Sequence, residues 1–383
     1  MITRRAANIK PFIVMEILER ANLMEREGVD IIHMEVGEPD FDTPSCITQA
    51  VKMALDDGRT HYTHSLGDFQ LRQAIASYYQ STYGTGDINP DRIIVTSGTS
   101  PAMFLLFSAL IDEGDEVILS DPHYACYPNF IYYMGGIPVR VPVYAEDGFQ
   151  FDTEALEKRI SKKTKAIIVN SPANPTGNHL SKERMKAIAE LAESNDLFVI
   201  SDEIYHGLTY VGRDHSILEF TDRAFVLNGF SKLYAMTGLR LGYLIAPEPF
   251  MRPMQKLQQN FFISANSAVQ IAGIAALQKA GDDVARMRGI YNERRLFMIN
   301  RLRELGFVIP REPTGAFYIF ANVRHLSGDS LTLAFDILQN AHVGVTPGID
   351  FGERGEGHLR FSYANSIENL REGMHRIERY LNR

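Results

Sequence analysis

From about residue 90 onward the chain alternates between short, continuously apolar runs and amphipathic stretches. The runs are Ile93–Val95, Val117–Leu119, Val139–Val141, Ala166–Val169, Phe198–Ile200, Ala224–Leu227 and Leu241–Ile245. Between them, segments such as 182–194 carry apolar side chains at helical spacing. Strands separated by helices predict βαβ units and a mostly parallel sheet. The runs lack polar alternation, so both faces of that sheet are expected to be covered. Upstream, PFIVMEILERANLMERE at 11–27 places Ile13, Val14, Ile17, Leu18 and Met24 near helical spacing, with Pro11 in the first turn and Gly28 as the stop.

The rhythm changes after a helical run at 267–305. Two strands at 317–320 and 358–362 flank a helix near 331–340, and an amphipathic helix at 367–381 follows. The predicted fold class is α/β: a large domain with a mostly parallel seven-stranded sheet covered by helices, plus a smaller α+β domain. We place the large domain at 45–280 and the small one at 281–383. The arm and helix of 1–44 are expected to join the small domain.

Composition narrows the options. A chain of 383 residues exceeds what one core holds, about 250–300 residues, which agrees with two domains. The formal net charge of −8 opposes a nucleic-acid-binding surface. Cys46 and Cys126 are too few and too far apart for a disulfide framework or a zinc site, and the eleven histidines show no metal-ligand spacing. No stretch approaches the roughly 20 apolar residues that span a bilayer, and MITRRAANIKPF lacks the apolar run of an export signal. A cytoplasmic location is the expectation.

Four segments carry the candidate chemistry. In NGFSKLYAMTGLRLGY (228–243), Lys232 follows a strand and Ser231, with Arg240 shortly after. A nucleophilic lysine must lose its proton near neutrality, and neighbouring cations and burial lower its pKa. In IIVNSPANPTGN (167–178) a strand enters a turn-forming Asn-Pro-Thr-Gly. In FVISDEIYHGLTY (198–210), Asp202 stands at the carboxyl end of a buried strand with Tyr205 three residues on. That is where open α/β sheets bind ligands, though a helix N-cap would use the same residue type. In VTSGTSPAMF (95–104), Gly98, Thr99 and Ser100 lead into a helix, an arrangement that suits either a phosphate or an ordinary cap. No G-x-G-x-x-G follows the first strand, which sets a dinucleotide-binding dehydrogenase aside.

In this order the segments resemble the class I, fold-type-I family of pyridoxal-phosphate (PLP) aminotransferases. The resemblance runs from VGEPDFDTP (36–44) through HYTHSLGDFQLRQAIA (61–76), the four segments above and GAFYIF (315–320), to VTPGIDFGERGEGHLRFSYA (345–364). It implies that Lys232 carries the cofactor as a Schiff base and shuttles the proton, and that Asp202 pairs with the pyridinium nitrogen. It further implies that Asn174 and Tyr205 bond the phenolic oxygen and that Tyr124 stacks on the ring. Ser231, Arg240 and the backbone of Gly98, Thr99 and Ser100 would hold the phosphate. Tyr62 would reach that phosphate from a second subunit of a homodimer. Arg360 would clamp the substrate α-carboxylate as a bidentate fork, with Gly37 approaching through its backbone and Asn174 contributing. A cis Asn174–Pro175 peptide is also implied.

The implied reaction is transfer of an α-amino group to a 2-oxo acid, either 2-oxoglutarate or pyruvate, by a ping-pong mechanism. In some prokaryotic aspartate aminotransferases a lysine at the position of Ser100 helps bind the distal carboxylate. Here the far wall is expected to be apolar, built from Phe12, Ile13, Ile17 and Tyr124, so a hydrophobic or small amino acid suits it as well as aspartate. A C–S β-lyase on the same scaffold and a non-catalytic amino-acid sensor are the competing readings. The sensor would need a further DNA-binding region.

Overall fold

The computed structural model describes residues 2–382. Seven strands form the main sheet, in the spatial order Ile93–Thr96, Gly242–Ile245, Ala224–Gly229, Phe198–Asp202, Thr164–Asn170, Glu116–Asp121 and Ile137–Pro142. All neighbours pair in parallel except at Gly242–Ile245, which runs antiparallel to both strands beside it. Each predicted run lies in or overlaps one of these strands.

Alternation along the strands explains why the runs are continuously apolar. Ile93, Val95, Ile118, Ile167, Val169, Val199 and Val226 enter one core, while Ile94, Val117, Leu119, Ile168, Ile200 and Phe225 enter the other. Helices Phe69–Tyr83, Lys182–Ser194 and Ser267–Lys279 supply side chains to the first core. Thr99–Leu110 and Glu248–Phe261 cover the opposite face. Burying each Val or Ile side chain in these layers stabilises the fold by about 1.5–3 kcal/mol before chain entropy is counted.

A three-stranded antiparallel sheet combines Thr346–Pro347, His358–Ser362 and Tyr318–Asn322. The helix predicted at 11–27 is Ile13–Arg26, and it packs against Thr346–Pro347 and helix Ser330–Ala341. Phe12 offers it no side-chain cap; instead Asp350 accepts from the backbone of Ile13 at 3.1 Å and of Val14 at 3.3 Å. Gly28, with φ of +90°, lets the chain turn away beyond its C-terminus. Strand Ile32–His33 then pairs in parallel with Val343–Gly344. The expected continuous helix at 267–305 is two, Ser267–Lys279 and Gly281–Glu304, with buried Ala280 between them. Gly281 is a poor helix interior residue, and Asp282 and Asp283 favour a new N-terminus there. Among the described residues no helix is long and apolar enough to cross a membrane.

Candidate active site

The parallel strands end at one edge of the sheet, and the candidate residues follow directly from those ends. Gly98, Tyr124, Asn174, Asp202 and Lys232 all lie at or just beyond the carboxyl ends of their strands. A cavity of about 320 Å³ opens there, lined by Gly37, Thr99, Ser100, Tyr124, Asn174, Asp202, Tyr205, Ser231, Lys232, Arg240 and Arg360. Gly98 borders it through Arg240.

At the floor, Asp202 is buried. Its Oδ2 accepts from the Tyr127 hydroxyl at 2.6 Å and its Oδ1 from the Ile204 backbone at 3.2 Å. Burial raises its pKa to about 6, and the Tyr127 hydrogen bond opposes that rise. A buried carboxylate with only neutral donors is a place for a cation.

Lys232 projects from the wall, and its Nζ donates to the Gly37 carbonyl at 2.6 Å. Loss of water lowers its pKa to about 8; Arg360 and Arg240 add to the lowering, while Glu38 and Asp202 oppose it. An amine so placed loses its proton far more readily than a surface lysine, as a Schiff-base former must.

At one end, Gly98 (φ +95°) precedes helix Thr99–Leu110. A Cβ on Gly98 would stand 2.5 Å from Arg240 Nη2, so only glycine lets that guanidinium lie over the turn. The exposed Arg240 guanidinium, the buried Ser231 and the free N–H groups of the helix start form an anion cradle.

At the other end, Arg360 sits in the central strand of the small sheet with 2% of its surface exposed. Its Nη1 donates to Asn174 Oδ1 at 2.8 Å, and its Nη2 donates to the Glu35 carbonyl and, at 3.1 Å, to Thr346 Oγ1. The guanidinium lies 4.4 Å from the centre of the Tyr318 ring and 5.0 Å from that of Phe351. The Tyr318 hydroxyl meets that of Tyr205 at 2.7 Å. A Cβ on Gly37 would lie 2.1 Å from the Tyr318 hydroxyl, so glycine is required there by the close approach. The Asn174–Pro175 peptide is cis.

The profile of the family described as aminotransferase class I and II matches residues 29–377. The chain belongs to this family. A (5-formylfuran-3-yl)methyl phosphate transaminase of Methanocaldococcus jannaschii is 42% identical over the whole of both chains. An aspartate aminotransferase of Pyrococcus horikoshii is 41% identical over 99% of this chain and 97% of its own. The solved aspartate aminotransferase of Thermus thermophilus with maleate superposes with a TM-score of 0.95 at 36% identity, covering 99% of each chain. A Methanococcus jannaschii structure, described as similar in its active site to kynurenine aminotransferases, gives 0.92 at 42% identity over the whole of both chains. The chain is therefore a transferase enzyme, a PLP-dependent aminotransferase of fold type I.

The residues present fit that cofactor. A buried carboxylate, an amine of lowered pKa and an anion cradle line one cavity, matching the ring nitrogen, aldehyde and phosphate of PLP. Tyr62 is not brought to this cavity. It is 84% exposed and lines a separate groove with Arg59, His61 and Asn266.

The far wall of this aminotransferase differs from the sequence expectation. Phe12 and Tyr124 line it, their rings 6.0 Å apart and edge-to-face. Ile13 and Ile17 do not. Ile17 is fully buried in the core and Ile13 packs against it, while Val14, Met15 and Leu18 face the cavity. Sequence reasoning also assigned no role to Tyr127 or Tyr318. Tyr127 opens the short helix Tyr127–Tyr133 three residues after Tyr124, and Tyr318 stands in the quoted GAFYIF segment; neither pattern by itself indicates a partner.

Proposed function

We propose that this aminotransferase moves the α-amino group of an amino acid with an uncharged, apolar side chain to a 2-oxo acid, 2-oxoglutarate or pyruvate, by a ping-pong mechanism. The observation that carries the reading is the placement of Lys232 between two cations, Arg240 and Arg360, in a cavity whose lining includes the apolar Phe12, Val14, Met15, Leu18, Val36 and Met103 alongside Glu38, Asn170 and Thr237. PLP, when bound, supplies an electron sink that acidifies the substrate Cα–H.

The protein's own groups do the rest. Arg360 takes the α-carboxylate as a planar fork, and Asn174, which accepts from Nη1, fixes its plane. Gly37 offers its backbone beside that carboxylate. Lys232 would hold the cofactor's aldehyde carbon, and its amine would carry the proton to and from the substrate Cα. Asp202 would pair with the ring nitrogen, and the Tyr127 hydrogen bond favours the ionised carboxylate that this needs. Tyr205 and Asn174 would donate to the cofactor's phenolic oxygen, and Tyr124, which lines the same cavity, would hold its ring. Ser231, Arg240 and the backbone of Gly98, Thr99 and Ser100 would hold the phosphate.

With Arg240 and Arg360 so engaged, no further arginine or lysine among the cavity-lining residues is left for a second carboxylate, and Ser100 is neutral. The relatives named for aspartate act on it by their names alone. Here the wall favours apolar donors.

A second copy of the chain is proposed to cover the exposed Met53, Leu55, Tyr62, Phe69, Phe261 and Ile263, bringing Tyr62 to the partner's phosphate end. Residues 1–44 and 281–383 are proposed to act as one small domain on the large domain of 45–280.

The test is a half-reaction. Adding leucine or phenylalanine to the loaded enzyme, without acceptor, should shift the cofactor absorbance to the amine form and release one equivalent of 2-oxo acid. Aspartate should do so more slowly. An S-alkylcysteine, which carries a thiolate leaving group on Cβ, is the control: ammonia, pyruvate and thiol released from it with the original absorbance restored, and no half-reaction with leucine or phenylalanine, would support a β-lyase and overturn the assignment.

A further inference from the structure

The segment after strand Ile32–His33 presents two carbonyls to the cavity's chief side chains. The Glu35 carbonyl accepts from Arg360 Nη2 and, at 3.1 Å, from Thr346 Oγ1. The Gly37 carbonyl accepts from Lys232 Nζ at 2.6 Å. The flanking backbone is secured on both sides: Met34 N–H donates to the Gly344 carbonyl at 3.0 Å, and Ser362 N–H donates to the Met34 carbonyl at 2.7 Å.

The side chain of Glu35 is fully buried, an expensive place for a carboxylate. Its Oε1 lies 2.6 Å from His33 Nδ1, and Oε2 has no hydrogen-bond partner. A Cβ on Gly344 would fall 2.0 Å from Oε2, so the carboxylate rests on the bare backbone of the neighbouring strand. His33 Nε2 in turn lies 3.2 Å from Glu25 Oε1, on the helix that walls the cavity. Residues 33 and 35 share one side of the extended chain, while Met34 points oppositely and packs over Gly373. The His33–Glu35 pair holds one side of this segment and Met34 the other, and the Glu35 carbonyl between them faces Arg360 and Thr346.

We propose that Glu35 is a positioning residue: its buried side chain, held by His33 against Gly344, aims its own backbone carbonyl at Arg360 and so fixes the guanidinium for a carboxylate ligand. This rests on the reading of Arg360 as the α-carboxylate clamp. A buried ion pair used only for stability would be replaceable by apolar residues at little cost, whereas this one sits one residue's backbone away from the substrate-binding cation.

The experiment measures the dissociation constant of an inert apolar monocarboxylate, 3-phenylpropanoate, on cofactor-loaded wild type, Glu35→Gln, Arg360→Lys and the double variant. Steady-state KM and kcat accompany it. Glu35→Gln should raise both the dissociation constant and KM about tenfold with kcat within twofold, and its effect should vanish in the Arg360→Lys background. If Glu35→Gln does not fold, His33→Gln, which leaves the carboxylate a neutral donor, is measured in its place with the same expectation. An unchanged dissociation constant, or an equal loss in both backgrounds, overturns the proposal. An Arg360→Lys variant that binds as wild type does overturns instead the carboxylate reading beneath it.

Discussion

Tyr127 donates a 2.6 Å hydrogen bond to Asp202, and both side chains are buried. The phenol is held far from ionisation by burial, so it acts only as a neutral donor. It is the one side-chain group that favours the ionised carboxylate by hydrogen bonding. Tyr127→Phe should therefore push the pKa of Asp202 above its present value of about 6 in the cofactor-free chain. Hydrogen bonds to charged groups contribute about 1.5–3 kcal/mol, so kcat should fall at least tenfold. Steady-state kinetics with a saturating donor checks this, and the acidic limb of the pH–rate profile should move upward.

Lys232 must be neutral to attack an aldehyde, and its surroundings hold its pKa at about 8. The cofactor-free protein should react with pyridoxal at a rate that rises with pH and levels off above about 8. Surface lysines, titrating near 10.4, would keep rising. Lys232→Ala should show neither this phase nor transamination; normal turnover in that variant would remove the lysine from the mechanism.

Arg360→Lys replaces a fork that spans Asn174, Thr346 and the Glu35 carbonyl with a point charge. The expected loss is about 2 kcal/mol in kcat/KM, or close to thirtyfold, mostly in KM. Measuring both half-reactions tests it, since donor and acceptor share the α-carboxylate.

His33 lies between Glu35 and Glu25, and the Glu35 hydrogen bond is the largest influence raising its pKa from 6.5 to about 9. A group whose folded pKa is raised stabilises the fold fully below its unfolded value and loses that contribution as pH climbs through the folded one. The stability gap between wild type and His33→Asn should thus be widest near pH 6 and shrink between pH 6.5 and about 9. Urea unfolding at four or five pH values would show it, and a gap that widens over this range would contradict the ion pair.

Much of the architecture is written in local patterns. Continuous apolar runs identify strands buried on both faces, and the segments around Lys232, Asp202 and Asn174 carry enough residue-specific chemistry to mark the site. Other features depend on contacts between distant parts of the chain. Tyr127 meets Asp202 across 75 positions, and Arg360 meets the Glu35 carbonyl across 325. The wall helix shows a different limit. Its period groups Ile13 with Ile17 and Val14 with Leu18, but both groups are apolar, because the helix faces the core on one side and the cavity on the other. Periodicity states which side chains travel together and leaves open which of two apolar surroundings each group meets.

The antiparallel strand Gly242–Ile245 brings Gly242 so close to Gly98 that a Cβ there would stand 2.7 Å from the Gly98 carbonyl carbon. Two glycines back to back, with Arg240 laid over one of them, leave no room for a side chain at either position. The opposite wall hangs on one helix whose first turn is held by Asp350. Val14, Met15 and Leu18 all project from that one helix, so this wall can be reshaped from a single element that carries none of the residues proposed to hold the cofactor.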